Sequence, residues 1–481
     1  MSSHQSNQDA RNDDQSGTQD HASIYIEDML RGVPPTPPER SIFRVRHVLR
    51  EANEKAYEPE VLAVGPYHRR NDRCKFMEEQ KMRCVQRLLK RRDEESFHRY
   101  MPILREMEQR ARDCYAETIH LPQNEFLAMM LIDGCFVVEL LRECSMNGPH
   151  MEAGLIRILP SLLRDLMLLE NQLPLFVLNK LYDMTKGPNE HHELIDIAIK
   201  CLCDPPVDLD RNATLRSMLR DSKHLLHLVH TCWTFRLLPE RQPEGSTAQE
   251  ASTAQTEARS MLGNVLRESK HLLHLVHTYC TFGLPRARKP EGSTTQTEVR
   301  SMLSATELRE AGVRLRAVQR RHPMDIKFKN GILKIPAITV EDSTESRFRN
   351  LIAYEQHRQC GDISHVTDYM SFMDCLIHSS KDVKLLRCQG IFGNYLGDDE
   401  VVAQMFNKMG HGVTLTDFYY NEISRNVNEY CNKKRNLWMV KLKREYLHSP
   451  WAFLSVLAAI VLLLLTAAQT AFAVLSYINR S

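Results

Sequence analysis

At 481 residues, 42% of them hydrophobic, the chain is long enough for one large or two ordinary globular cores. Its 63 Lys and Arg balance 61 Asp and Glu to a formal net charge of +2, which lacks the global basic footprint of a nucleic-acid binder. Thirteen cysteines, an odd count without paired C-x-x-C spacing, fit a reducing compartment better than a disulfide framework; Cys201 and Cys203, the closest pair, have no second pair to complete a zinc site.

In chain order, residues 1–22 form a polar tail rich in Ser, Gln, Asn and Asp, expected to be disordered and without the apolar core of a secretory signal. A body over 23–446 follows, opening with a short helix over 24–31 and a stiff spacer at Pro34, Pro35, Pro37 and Pro38. Residues 73–91 space Met77, Cys84, Leu88 and Leu89 among basic residues as an amphipathic helix. Residues 124–143 are apolar almost all round, the pattern of a helix central to the core. A similar helix is expected over 161–182, with Ser161 as N-cap and a break forced at Leu173-Pro174.

Between 215 and 303 lies an internal duplication: SKHLLHLVHT occurs at 222–231 and again at 269–278, and PEGST follows each copy. Two copies are too few for a solenoid, so the segment reads as a duplicated helix and loop inserted in the body. His224, His227 and His230, and their counterparts His271, His274 and His277, stand three apart, a spacing that could offer imidazoles to a metal. The interleaved leucines instead favour an amphipathic helix with a histidine edge, and no metal ligand is assigned.

Residues 325–340 alternate around Asn330-Gly331, whose tolerance of positive φ predicts a type I′ hairpin. Asp342 to Glu345 then offer acceptors to the free amides of a helix over 347–355. At the C-terminus, residues 451–478 carry no charge and exceed the roughly 30 Å needed to cross a bilayer, so a transmembrane helix is expected over 450–478. Trp451 and Tyr477 would mark its interfaces, and Lys441, Lys443 and Arg444 on the richer basic flank would place the large domain in the cytosol. That charge run either touches anionic lipid or is a solvated run that only sets topology. A cytosolic domain would leave Asn212-Ala213-Thr214, a formal glycosylation acceptor, unmodified. Ser455, Ala459, Thr466, Gln469, Thr470 and Ala473 share one side of the span, as a self-association face or as ordinary residues of a monomeric anchor.

Several ordered motifs then converge. Tyr57-Glu58-Pro59, Val64-Gly65-Pro66-Tyr67-His68, Met77-Glu78 and Lys81 are followed by DGCFVVEL at 133–140, DLMLLENQLPLF at 165–176, Ile335-Pro336, NLIAYEQ at 350–356 and DYMSFMDCL at 368–376. Across 42–478 the chain resembles the plant domain-of-unknown-function-247 family. The resemblance implies an α-rich plant protein with a C-terminal transmembrane helix and no established enzymatic activity; some members are associated with self-incompatibility in grasses. Two features depart from the pattern: Arg46 stands where the family usually has proline, and the histidine helix is duplicated.

Asp133, Glu139, Glu170 and Glu355 lie in apolar contexts where burial could turn a carboxyl into a general acid. Glu170-Asn171-Gln172 and Glu355-Gln356 read rather as ties between helix ends and neighbouring backbone, and Gly65-Pro66-Tyr67-His68 as a turn with an aromatic anchor. Gly134 belongs to the same set of structural motif positions. No G-x-S-x-G elbow, H-E-x-x-H helix or phosphate loop is present, so no catalytic or cofactor-binding residue is assigned. The expected architecture is mainly α: a large helical domain, a small β-hairpin and one transmembrane helix. The expected role is a single-pass, membrane-anchored recognition or signalling protein, with the plasma membrane as the candidate site. Its partners would be lipid, an unknown protein and a second copy, but not nucleic acid. The alternative is a membrane-tethered hydrolase or transferase using buried carboxylates. An enclosed pocket joining two of Asp133, Glu139, Glu170, Glu355 and His68 would favour that alternative.

Overall fold

The computed structural model describes residues 21–31, 39–94, 96–145, 153–187, 190–203, 209, 212–235, 302–318, 324–358, 363–413, 418–432 and 450–478. In the first half the helices are α1 (His21–Arg31), α2 (His47–Ala52), α3 (Lys75–Arg92), α4 (Met101–Asp113), α5 (Gln123–Ser145), α6 (Ala153–Arg157), α7 (Leu159–Asp165), α8 (Leu175–Thr185), α9 (Leu194–Leu202), α10 (Ala213–Arg220) and α11 (Leu225–Thr234). Beyond 302 come α12 (Ala305–Glu310), strands β1 (Arg314–Val318), β2 (Lys327–Lys329), β3 (Ile332–Pro336) and β4 (Ile338–Val340), then α13 (Asp342–Glu355), α14 (His365–Leu376) and α15 (Ser380–Cys388). Strand β5 (Phe392–Asn394) precedes α16 (Asp399–Met409), α17 (Asn421–Asn432) and α18 (Pro450–Ile478).

The apolar-all-round segment does become the centre. Helix α5 packs against α3, α4, α8 and α9, so Phe126, Leu127, Val138 and Leu141 are fully buried, each contributing about 1.5–3 kcal/mol relative to exposure. Gly134 lets α8 approach, since a Cβ there would meet Leu181 Cδ1 at 2.4 Å. On α3 the stripe of Met77, Cys84 and Leu88 is buried as its spacing predicts, and Lys81 is buried with them. The expected helix over 161–182 is divided differently. Helix α7 starts at Leu159 with Pro160 in its first turn, Ser161 is not its cap, and the break opens after Asp165 rather than at Pro174. Past the break, Gln172 Nε2 takes the Leu166 and Leu168 carbonyls that a continuous helix would pair with later N–H groups, and the Asp165 side chain is drawn to the Leu62 N–H.

Asn330 (φ 52°) and Gly331 (φ 72°) turn the predicted hairpin, and a Cβ at Gly331 would also strike Tyr430 Oη at 2.4 Å. The sheet is larger than that hairpin. Its order is β1-β3-β2, with β1 parallel to β3, while β4 leaves it to pair in parallel with β5. Helix α13 begins at Asp342, earlier than expected, because Glu341 and Thr344 form a reciprocal capping box.

Helix α18 forms, but the transmembrane expectation is corrected: among the described residues no helix is long and apolar enough to cross a membrane. Of the proposed contact face, Thr466 and Thr470 turn their hydroxyls back onto the carbonyls of Leu462 and Thr466, both at 2.8 Å. Lys441, Lys443 and Arg444, the side chains of Trp451, Ala473 and Tyr477, the four-proline spacer, residues 1–20 and the second histidine copy lie outside the described residues.

Candidate functional site

The family motifs converge on one buried polar lattice. After α7 the chain turns so that the Asp165 carboxylate accepts the N–H groups of Glu60, Val61 and Leu62 at 2.8–3.0 Å and the Arg164 guanidinium at 2.7 Å. Asn171 accepts from Val64 N at 2.7 Å and donates to Leu62 O at 2.8 Å, continuing the same clasp. Gln172 donates to the carbonyls of Leu166 and Leu168 and accepts Leu226 N, which brings α11 to the lattice. The segment from Glu60 to Gly65 therefore needs no strand partner, because side chains supply its backbone bonds. At its end Gly65 takes φ 73°, and a Cβ would lie 2.9 Å from Gln172 O. Tyr67 then lies under the Arg44 guanidinium and edge-on to Tyr115, the aromatic anchor expected of the Gly-Pro-Tyr-His turn formed with Pro66.

Each motif carboxylate is engaged separately. Asp133 accepts Lys81 Nζ at 2.7 Å and Gly65 N at 3.0 Å, while Lys81, 1% exposed, also donates to Ala63 O and to Glu78. Burial alone would lower the pKa of Lys81, but the carboxylates of Asp133 and Glu78 hold it above the usual lysine value. A cavity of about 50 Å³ adjoins this pair, space for a few waters and far below the 300–1,000 Å³ of a typical ligand site. Glu139 forms a fork with Arg91 at 2.6 and 2.8 Å and a second pair with Arg142.

Glu170 accepts Val45 N at 2.7 Å and Arg50 Nη2 at 2.8 Å. His68 Nε2 stands 3.4 Å from Glu170, near enough to favour the carboxylate though not aligned for a hydrogen bond, so the structure does bring these two residues together. Burial would raise the Glu170 carboxyl, yet His68, Arg50 and the Val45 N–H outweigh it and bring its pKa to about 2. Glu355 closes α14 from outside: it accepts the N–H groups of Val366 and Thr367, the Thr367 hydroxyl and His230 Nε2, the last at 2.7 Å. Burial pushes its pKa up, and His230 with these donors holds it below the usual carboxylate value. Gln356 accepts from Arg46 Nη2 at 2.9 Å, and Arg46 has φ −59°, a backbone that also suits the proline usual in the family.

The histidine spacing serves packing. His224 caps α11 and reaches Ser41 O, His230 pairs with Glu355, and all three rings of the first copy lie 5.2–5.4 Å from the Tyr354 ring. Among the described residues no group of three His, Cys, Asp or Glu is placed to hold a metal. Asp165, Lys81 and Asn350, which donates to Ala56 O and accepts Leu169 N, carry as much of the lattice as the residues singled out from the sequence. For Asp165 and Asn350 the signal was a polar residue beside apolar ones; Lys81, amid Glu79, Gln80 and Arg83, gave none beyond its place in the motif.

Cys144, Cys201 and Cys375 are half-buried and Cys388 is exposed, apart from the buried set. Cys144, partly exposed, is bonded by Cys201; that bond outweighs burial and, with Lys200 nearby, lowers its pKa to about 7. Burial pushes Cys74 up to about 11 and Cys84 and Cys114 to about 12. At neutral pH, iodoacetamide is expected to label Cys144 well before those three. Peptide mass spectrometry over time checks the order, and labelling of Cys84 first would contradict it.

Comparisons with known proteins agree with the motifs. The model of the family DUF247, described as plant protein of unknown function, matches residues 42–265 and 247–465, two stretches that overlap inside the duplicated part of the chain. The chain is 29% identical over 450 residues to UPF0481 protein At3g47200 of Arabidopsis thaliana, covering 91% of this chain and 87% of that protein. It is 26% identical over 474 residues to Putative UPF0481 protein At3g02645 of the same plant, covering 89% of each. No solved structure matches it.

Proposed function

We propose that this chain, which belongs to the plant family of unknown function DUF247, is a recognition or signalling component that acts through protein contacts. One observation carries the reading: Asp133, Glu139, Glu170 and Glu355 are each bound by at least two donors of their own. A buried carboxylate held by such donors is engaged in fixing backbone and neighbouring cations. The motifs thus build a rigid frame, and the chemistry left for a partner lies on its surface. A hydrolase or transferase would need one of these acids open to a pocket of substrate size, and the cavity beside Asp133 does not supply it.

Proximity labelling from the full chain in its own tissue tests the reading. A reproducible set of protein neighbours is expected, distinct from the set around an unrelated protein of equal abundance in the same compartment. Identical sets would overturn it.

A further inference from the structure

The solvent side of the three-stranded sheet carries a cluster of basic side chains. The register places Arg314 and Arg316 of β1 beside Ile332 and Lys334 of β3, and Lys329 and Lys327 of β2 beside those same two residues. Residues directly paired across strands share a face, so five cations lie on that side with Ile332, and with Val318 and Pro336 at its far end. The other side, with Leu315, Leu333, Ile335 and Phe328, packs inward. Lys327 pairs with Asp325 at 3.2 Å; Arg309, Arg314, Arg316, Lys329 and Lys334 make no ion pair among the described residues. From 309 to 334 the sequence carries eight Lys and Arg against two acidic residues, a concentration hidden by a whole-chain net charge of +2.

Strand β1 is also an edge. Arg314 N donates to Gly331 O at 2.9 Å toward β3, so by the alternation of a strand the N–H and C=O of Leu315 point the opposite way, to the open edge. Along that edge runs a cleft of about 460 Å³ lined by Arg309, Arg314, Leu315 and Arg316 and, from α15 and its end, Leu385 and Gln389. Among the described residues no acidic one lines it. Gly390 approaches Ala317 within 3.8 Å of a built Cβ, which closes the edge beyond Arg316 and limits the opening to a few residues.

We propose that this edge docks an extended protein segment alternating acidic and apolar residues, laid beside β1 as an added strand. The inference rests on the recognition reading above and names the partner's chemistry. An added strand places alternate side chains about 7 Å apart on each face, which matches Arg314 and Arg316 on the outer face with carboxylates and sets apolar groups against the small exposed parts of Leu315 and Leu385, 7% and 6% exposed, on the inner one. Nucleic acid fits less well, since the basic face has no aromatic ring for a base to stack on and Phe328 belongs to the inner side. A lipid surface would meet the cations but not the apolar wall of the cleft.

Fluorescence anisotropy of the full chain with a labelled peptide of about eight residues, alternating Glu and Val, tests the proposal. Binding is expected, weakened roughly tenfold or more by the double substitution Arg314→Glu and Arg316→Glu, by 0.5 M salt at about the 4 Å Debye length, and by N-methylation of alternate peptide amides. The N-methylated peptide carries the same charge and leaves the protein untouched, so it reads strand pairing even if the double variant folds poorly. Equal binding of a peptide with the same composition but its glutamates in one block, tighter binding of single-stranded RNA or of anionic phosphatidylserine vesicles, or no binding near 1 mM would each overturn it. Failure here with an unchanged set of labelled neighbours sinks this surface alone, whereas loss of the specific neighbour set sinks the recognition reading itself.

Discussion

Replacing Lys81 by methionine is expected to destabilise the folded protein by about 3–5 kcal/mol, as measured by urea denaturation. The cost comes less from losing an attraction than from stranding Asp133, which is 5% exposed and would keep only the Gly65 N–H as a donor. Three acceptors now surround the ammonium, namely Ala63 O, Glu78 and Asp133, so a carbonyl is orphaned as well. Adding Asp133→Leu removes the stranded charge and fills the space with carbon. The double variant is expected to recover most of the loss and remain about 1–3 kcal/mol below the native protein, the residue being Gly65 N–H and Ala63 O without partners. Costs that simply add, leaving the double variant worse than Lys81→Met alone, would show that the pair is not a coupled unit.

Acidification is expected to weaken the fold steeply below pH 6.5, well above the range in which carboxylates titrate. Burial lowers His224 to about 3, against a smaller lift from its bond to Ser41. It lowers His365 to about 4, where Glu355 pulls up and His230 and Arg358 push down. A group whose folded pKa is depressed contributes fully above its unfolded pKa and loses that contribution as pH falls, because the unfolded chain takes the proton first. Between pH 6.5 and 4 each histidine therefore removes about 1.4 kcal/mol per pH unit, or about 2 kcal/mol by pH 5, against a typical total of 5–15.

His365 allows a clean test, since both ring nitrogens are buried without a hydrogen bond and its ring meets Tyr419 edge-on at 4.9 Å. His365→Phe keeps that contact and removes the proton site. Its stability should fall less from pH 7 to pH 5 than that of the native protein, by about 2 kcal/mol. Equal pH slopes for the two proteins would mean that this histidine is protonated as readily folded as unfolded.

How much of this was legible beforehand depends on the distance over which each feature is decided. The all-apolar helix α5, the stripe on α3 and the Asn330-Gly331 turn follow from periods of a few residues, and all three stand in the structure. The helix read over 161–182 failed for the opposite reason. Its residues have the right period, but Asp165 is drawn to amides about a hundred positions earlier in the chain, and no local pattern records that demand. The apolar C-terminal run likewise announced a helix correctly and a membrane crossing that the described residues do not support. Family membership was also readable, because the ordered motifs survive as strings of residues.

What each motif does was not readable. Asp133 pairs across 52 positions with Lys81, and Glu355 across 125 with His230, so the identity of a buried acid says that it needs donors without saying which. The basic sheet face shows the same division. Alternation over 314–318 and 327–334 was present in the chain all along, but placing its two halves on one surface required β1 to lie parallel to β3, a pairing set by tertiary packing. The sequence by itself determined the all-apolar and amphipathic helices, the turn and the family; the tertiary structure alone decided where the helix read over 161–182 breaks, which donors hold the motif acids inside and that the free charge gathers at one edge. The physical reason is that backbone periodicity is a local property, whereas hydrogen-bond satisfaction and charge clustering are settled between segments far apart in the chain.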